Sequence, residues 1–211
     1  MKNLIIIGAR GFGREVYDLA IQCSGYNIEY VVKGFLDNKI DALNGFENYP
    51  QIISSVEDYE IQENDIFVCA LGTVKWKKHY AELILEKGGR FINLIHPSTK
   101  LNTNVCVGIG LIVFMYANIS NDCIIEDFVT IQGYVGLGHD TKIKKWAHLS
   151  SYSFTGGFVI LEEESTLNTR ATVLPHIIVR KGATVGASSL VIKNVKENTT
   201  VFGVPAKKLD F

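Results

Sequence analysis

Two hydrophobic patterns divide the chain near residue 93. Over residues 1–92, short apolar runs alternate with segments in which apolar residues recur at helical spacing. Strands that alternate with helices indicate a parallel sheet with right-handed crossovers, so we expect an α/β Rossmann-like domain here. The predicted strands are Leu4–Ile7, Tyr30–Leu36, Ile52–Ile53, Ile66–Leu71 and Arg90–Leu94, and the predicted helices are Arg14–Cys23 and Lys75–Lys87.

A six-residue period replaces this pattern in the second part of the chain. Every sixth residue from Ile95 to Val191 is Ile, Leu or Val in sixteen of seventeen cases, with Thr155 as the exception. Such a period is typical of a hexapeptide β-helix, in which three hexapeptides form a triangular coil of about 18 residues. Stacked coils bury the aliphatic residues in one column. We expect this β-helix over residues 93–192 and a C-terminal tail over residues 193–211.

Composition narrows the classes of function. The 211 residues include 21 basic and 22 acidic side chains, with a formal net charge of −1. This balance argues against a nucleic-acid partner, which usually requires a basic excess. Apolar runs such as Leu4–Ile7 are far shorter than the ~20 residues of a membrane span, and no signal-peptide pattern precedes them. Four cysteines without a CxxC pair agree with the cytoplasmic location that we expect.

The segment Gly8–Gly13, with the sequence GARGFG, follows the first predicted strand. Its GxxGxG spacing differs from the GxGxxG dinucleotide fingerprint. Two interpretations stay open: a tight strand-to-helix connection that needs glycine, or a phosphate site at the helix N-terminus. Asp37 and Asn38 end the second strand, where Rossmann-like folds hold ribose or base groups, although such residues also cap turns. Gly72 ends a strand at the same edge of the sheet.

Seven short segments, in a fixed order along the whole chain, carry a resemblance to a known family. They are Gly8–Gly13, Gly34–Asn38, Ala70–Gly72, Leu94–Ser98, Gly138–Asp140, Val173–Pro175 and Gly203–Lys207. Together they resemble the bacterial sugar acetyltransferases of the sialic acid O-acetyltransferase family, which includes N-acetyltransferases of UDP-4-amino sugars. The resemblance implies a left-handed β-helix, acetyl-CoA as co-substrate, and a homotrimer with active sites between subunits.

The resemblance also implies roles for residues at the matching positions. His139 would take the proton that an attacking amine or hydroxyl loses, and Asp140 would orient its ring. Gly157 follows His139 by one coil length, so its backbone N–H would stabilise the thioester oxyanion, with a bulge at Thr155–Gly157 as the alternative. Arg10, Gly11, Phe12, Asp37, Asn38 and Gly72 are expected to bind the nucleotide sugar.

Acetyl-CoA is expected in the groove between two prisms. The resemblance places His148 near the thioester, with an interface-packing histidine as the alternative, and assigns Thr169 and Ala187 to backbone contacts with the pantetheine arm. Three basic pairs could meet the CoA phosphates, although charge runs more often form solvated faces: Lys144-Lys145, Arg180-Lys181 and Lys207-Lys208. The acidic run Glu162–Glu164 departs from the family, which has a glycine-containing turn there.

The predicted function is therefore enzymatic. We expect direct transfer of acetyl from acetyl-CoA to the amino group of a UDP-type amino sugar, with no covalent acyl-enzyme. Two alternatives remain at this point: O-acetylation of a sugar hydroxyl such as that of sialic acid, and a non-catalytic ligand-binding β-helix. No metal is expected, because the five histidines form no triplet that fits a zinc site.

Overall fold

The computed structural model describes residues 1–209 and forms two compact units, Met1–Pro97 and a second that begins at Ser98. The first unit contains one parallel sheet with the strand order β3-β2-β1-β4. Its elements are β1 (Lys2–Ile7), α1 (Gly11–Gln22), β2 (Tyr30–Leu36), β3 (Ile52–Ser54), β4 (Asp65–Cys69), α2 (Val74–Glu86) and β5 (Leu94–Ile95). Leu4–Ile7 is fully buried, as expected for a central strand of a parallel sheet.

The strand predicted over Arg90–Leu94 is wrong in its extent. Residues near Phe91 meet β4 at a single bridge, where Phe67 N–H donates to Arg90 O and Ile92 N–H donates to Phe67 O. The preceding turn limits this contact, because Gly88 has a left-handed φ of 84° and Gly89 packs closely against α2. Of the predicted range, only Leu94 belongs to a strand, the two-residue β5.

Gly13 allows the glycine turn to pack against the end of β1. A Cβ on Gly13 would collide with the carbonyl oxygen of Gly8, which itself adopts a φ of 97°. Gly11, at the start of α1, has no atom within 4 Å of the place where its Cβ would lie. The two glycines of one turn therefore differ: packing requires Gly13 and does not require Gly11.

We expect Gly13→Ala to lower the free energy of unfolding of this unit by about 2–3 kcal/mol, because the methyl group must displace backbone. Gly11→Ala is the matched control and should leave stability unchanged or raise it by about 0.5–1 kcal/mol, since alanine favours a helix. Urea titration monitored by circular dichroism measures both variants. Equal stability of the two variants would contradict the packing role of Gly13.

The second unit is a left-handed parallel β-helix, which confirms the predicted fold class. Its two-residue strands form three faces: β6-β9-β12-β15-β18-β21, β7-β10-β13-β16-β19, and β8-β11-β14-β17-β20 with β22 and β23 after it. These strands are β6 (Lys100–Leu101), β7 (Cys106–Val107), β8 (Ile112–Val113), β9 (Asn118–Ile119), β10 (Ile124–Ile125), β11 (Thr130–Ile131), β12 (Gly136–Leu137), β13 (Lys142–Ile143), β14 (His148–Leu149), β15 (Phe154–Thr155), β16 (Ile160–Leu161), β17 (Thr166–Leu167), β18 (Thr172–Val173), β19 (Ile178–Val179), β20 (Thr184–Val185), β21 (Leu190–Val191), β22 (Thr200–Phe202) and β23 (Lys207–Lys208).

The inward column of aliphatic side chains forms the core of this β-helix. Every member from Val113 to Val191 is buried, whereas Leu101 and Val107 are exposed because they belong to the first coil. Thr155 keeps the register: β15 pairs with β12 and β18 without a shift, and the Thr155 hydroxyl lies 3.5 Å from that of Thr141 inside the prism. The bulge considered for Thr155–Gly157 is therefore absent from this strand pairing.

A left-handed backbone residue forms each corner of the prism. From Asn104 to Ser188, every sixth residue has a positive φ between 56° and 69°. This conformation is costly for residues other than glycine, so the stacked coils must hold it in place. The corners also stack side chains from coil to coil, as in the aromatic column of Tyr116, Tyr134 and Tyr152.

The segment after residue 192 leaves the six-residue register but extends one face of the prism. β22 pairs in parallel with β20, and β23 returns antiparallel to β22. Within residues 1–209, no helix is both long enough and apolar enough to cross a membrane.

Candidate active site

His139 and Asp140 form a hydrogen-bonded pair at one corner of the prism, directly after β12. His139 Nδ1 lies 2.8 Å from Asp140 Oδ2, and the two side chains are 58% and 41% exposed. Asp140 occupies the left-handed corner position, with a φ of 57°. A carboxylate that accepts a hydrogen bond from Nδ1 fixes the ring and its tautomer, which leaves Nε2 as the nitrogen able to take a proton.

Gly157 lies directly above the imidazole ring, one coil further along. A Cβ on Gly157 would lie 2.7 Å from His139 Cε1 and 2.8 Å from Nε2. The ring thus rests against the backbone of the next coil, at a distance that only glycine permits. Gly138 is needed in turn, because its Cβ would lie 2.5 Å from the Gly157 nitrogen.

The backbone N–H of Gly157 lacks the side-chain acceptor that three equivalent corners have. The corner N–H groups of Lys145, Ser151 and Lys181 each donate to a side chain nineteen residues earlier, at 3.3, 3.1 and 3.0 Å. For Gly157 that earlier position is Gly138, which has no side chain. Within residues 1–209, the Gly157 N–H donates to no acceptor. A free donor beside a histidine–aspartate pair is the arrangement that an oxyanion requires.

Two aromatic residues extend this corner, and the sequence interpretation missed both. Phe158 packs edge-on against His139, with ring centroids 5.2 Å apart. His176 stacks on the far face of the corner column, 4.9 Å from the Phe158 centroid and nearly parallel to it. The six-residue register would have revealed them, because both occupy the corner position of Asp140 on successive coils.

The residues expected to contact acetyl-CoA lie along one face of the prism. His148 is half-buried on β14, Thr169 lies two residues after β17, and Ala187 lies two residues after β20. In the described part of the chain, the N–H groups of Thr169 and Ala187 donate to no acceptor. Within one chain the structure places these three residues on a different face from the strand β12 that leads to His139.

Two of the three basic pairs belong to a ladder of ion pairs along the prism. Each cation is paired with an acidic side chain on the adjacent coil: Lys144 with Glu126 at 2.6 Å, Lys145 with Asp127 at 2.9 Å, Arg180 with Glu162 at 3.2 Å and Lys181 with Glu163 at 3.5 Å. Burial raises the pKa of Asp127, but the hydrogen bonds from Lys145 and from the Ile109 N–H, together with the Lys145 charge, outweigh it and hold that pKa below its usual value. These ion pairs explain the acidic run Glu162–Glu164, because Glu162 and Glu163 each pair with a cation of the adjacent coil.

A cavity of about 460 Å³ lies in the first unit, at the carboxyl ends of β1, β2 and β4. Five of the six residues predicted for the nucleotide sugar line it: Arg10, Phe12, Asp37, Asn38 and Gly72. Gly11 does not line it and starts helix α1 beside it. A pocket at this edge of a parallel sheet is the usual place for a ligand.

Asp37 and Asn38 are anchored within the protein. Asp37 is 7% exposed; its Oδ2 accepts a hydrogen bond from Ala9 N–H at 3.0 Å, and its Oδ1 accepts one from Lys39 N–H at 2.9 Å. Asn38 donates from Nδ2 to Glu57 at 2.9 Å and to the Tyr80 hydroxyl at 3.2 Å. Asp37 therefore connects the glycine turn to the end of β2. The residue both caps a turn and forms part of the cavity wall.

Neither packing nor backbone conformation requires glycine at Gly72 or at Gly11. Neither residue has a positive φ, and a Cβ at either position would meet no atom within 4 Å. Both lie at the edge of the sheet where the cavity opens. Glycine at such positions allows a ligand to approach the backbone closely. In residues 1–209, no group of three or more His, Cys, Asp or Glu side chains is arranged to hold a metal ion.

The two units, in this order, define a class: a hexapeptide-repeat protein with an N-terminal Rossmann-like domain. Comparisons with known proteins confirm the resemblance to the sugar acetyltransferases of this class. Residues 3–84 match the family model described as the PglD N-terminal domain. The chain is 26% identical over 215 aligned residues, 97% of its length, to the GDP-perosamine N-acetyltransferase of Escherichia coli O157:H7, and covers 95% of that protein.

Two solved structures have the same architecture. The acetyltransferase domain of PglB from Neisseria gonorrhoeae FA1090, in complex with acetyl coenzyme A, matches with a TM-score of 0.88 at 26% identity, covering 99% of each chain. PerB from Caulobacter crescentus, in complex with CoA and GDP-perosamine, matches with a TM-score of 0.89 at 23% identity, covering 100% of this chain and 98% of that one, and shows the fold.

The serine acetyltransferase of Bacillus pumilus matches a smaller region. It is 30% identical over 135 residues, which are 63% of this chain. The chain thus spans about half the length of this curated relative, or 56% of it.

Proposed function

We propose that this protein transfers the acetyl group of acetyl-CoA to the amino group of a nucleotide-linked amino sugar, with His139 as general base. The observation that carries the proposal is the His139–Asp140 pair facing the free N–H of Gly157. Acetyl transfer requires a base for the attacking amine and a donor for the oxygen of the thioester, and this corner supplies both.

The reaction follows from this geometry as a direct attack. The amine nitrogen forms a bond to the thioester carbonyl carbon while His139 Nε2 takes the proton that the nitrogen loses. Gly157 N–H donates to the oxyanion of the tetrahedral intermediate. Asp140 stabilises the imidazolium that has formed. The carbon–sulfur bond then breaks, the amide is released, and the CoA thiolate takes the proton from His139.

The substrates are assigned to two parts of the chain. The nucleotide diphosphate binds at the first unit's cavity, supported by the helix N-terminus at Gly11 and the open space at Gly72. Acetyl-CoA binds along the face with His148, where Thr169 and Ala187 offer free N–H groups to its pantetheine arm. The family resemblance favours a UDP-type sugar, whereas the relative matched over 95% of its length is named for GDP-perosamine.

A homotrimer is part of this proposal. Within one chain, the His139 corner and the face with His148, Thr169 and Ala187 are supplied by different strand columns. Neighbouring prisms around a threefold axis would bring the corner of one chain to the face of another. We also place the protein in the cytoplasm, because nucleotide sugars and acetyl-CoA are made there.

The test is acetyl-CoA consumption against a panel of acceptors, followed by thiol release and by mass spectrometry of the product. The panel contains UDP-, dTDP- and GDP-linked 4-amino-4,6-dideoxy sugars together with free sialic acid. We expect N-acetylation of one nucleotide-linked amino sugar. Turnover of sialic acid alone would show that the acceptor is a hydroxyl group and not an amine. CoA binding without turnover of any acceptor would contradict the enzymatic assignment.

A further inference from the structure

Trp76 has an exposed position that packing does not explain. It lies on the first turn of α2, is 50% exposed, and lines the cavity that also contains Arg10 and Asn38. The buried face of α2 consists of Lys77, Ala81 and Ile84, so Trp76 lies outside it.

The indole is held in place by a second aromatic ring. Tyr80, one turn further along α2, stacks on Trp76 with centroids 6.0 Å apart and an interplanar angle of 24°. The Tyr80 hydroxyl accepts a hydrogen bond from Asn38 Nδ2 at 3.2 Å. His79 packs edge-on against the same indole, and Lys75 Nζ lies 5.6 Å from its centroid. The wall of the cavity is therefore a preorganised aromatic platform connected to the end of β2.

The other tryptophan of the chain has a different environment. Trp146 is 7% exposed and stacks on Phe128 at 4.3 Å, almost parallel, at a corner of the prism. Its ring is covered by the protein itself. Trp76 is 50% exposed and lines the cavity, so a planar ligand group in the cavity can reach its ring.

We propose that Trp76 is the platform on which the base of the nucleotide sugar stacks, with Tyr80 holding the indole in place. This inference rests on the proposed function, because it assigns one part of the nucleotide site. The diphosphate at the α1 N-terminus and the base at the α2 N-terminus would then share one cavity, which residues of both helix starts line. Stacking on an aromatic ring accepts any base, so specificity for the sugar nucleotide must come from other contacts.

The two tryptophans make the proposal directly measurable by intrinsic fluorescence of the full chain. UDP and GDP are titrated into the wild type, into Trp146→Phe, which keeps only Trp76, and into Trp76→Phe, which keeps only Trp146. We expect saturable quenching in the first two proteins and none in the third. Inorganic pyrophosphate, which has no base, should cause no quenching in any of them.

Calorimetry separates this inference from the proposed function. Trp76→Ala should raise the Kd of the nucleotide by roughly 5- to 100-fold, as expected for the loss of one stacked base. An unchanged Kd in Trp76→Ala, or quenching that persists in Trp76→Phe, would overturn the platform and leave the nucleotide site standing. A wild type that binds neither nucleotide by calorimetry would overturn both assignments.

Discussion

His139→Ala is expected to lower kcat for acetyl transfer by about 10²- to 10⁴-fold, because the variant has no group that takes the proton of the attacking amine. The substitution removes an exposed side chain and leaves the corner backbone intact, so the free energy of unfolding should change little. Thiol release under saturating acetyl-CoA measures the effect.

Matched controls exist on the coil before His139. Asn121 occupies the same corner position one coil earlier, so Asn121→Ala should retain wild-type kcat. Asp140→Asn should lower kcat by less than His139→Ala, while Asp122→Asn, at the same left-handed position one coil earlier, should not. A wild-type rate in His139→Ala would remove the general base from the proposed mechanism.

Gly157→Ala should lower kcat by roughly 10²-fold or more, the loss reported for removal of one oxyanion donor or for misplacement of a reacting group by about 1 Å. The added methyl group would lie 2.7 Å from His139 Cε1, so the imidazole must move away from the corner. The backbone of Gly157 does not have a positive φ, so alanine adds no backbone strain and acts only through its contact with the ring. Kinetics on the purified variant, with circular dichroism to verify folding, measure the effect.

Gly133→Ala is the control for this substitution. Gly133 lies at an equivalent corner, where a Cβ would meet only Met115, with its carbonyl oxygen at 3.3 Å. We expect nearly wild-type turnover from this variant. If Gly157→Ala and Gly133→Ala were equally active, contact between Gly157 and the His139 ring would have no part in catalysis.

The elements of the first unit were predicted well where apolar residues are consecutive and poorly at its end. Leu4–Ile7 lies within β1 and Ile66–Cys69 lies within β4, and these residues are buried, as in the interior of a parallel sheet; the predicted strand over Ile66–Leu71 ends two residues earlier, at Cys69. Residues 90–94 have a similar apolar pattern but pair with β4 at one bridge only. The hydrogen bonds to β4, and not the apolar pattern itself, therefore determine how much of this segment is a strand.

The partners of the basic pairs are a second feature that the sequence interpretation did not identify. In the sequence, nothing distinguishes Lys145 and Lys181 from other surface cations. Their partners, Asp127 and Glu163, come from the adjacent coil and are identified only when the coils are stacked. The same stacking makes Glu162–Glu164 part of the scaffold.

The six-residue register alone determined the β-helix, the inward column and the corner position of His139, because every repeat encodes the same strand and corner locally. The tertiary structure decided that the corner next to His139 keeps a free N–H and that the indole of Trp76 lines a cavity. Gly157 is left without an acceptor because Gly138, nineteen residues earlier, has no side chain, and Trp76 meets Asn38 through Tyr80 only after α2 packs on β4. The contact of Trp76 with Asn38 through Tyr80 joins residues that no local period relates, so only the folded chain brings them together.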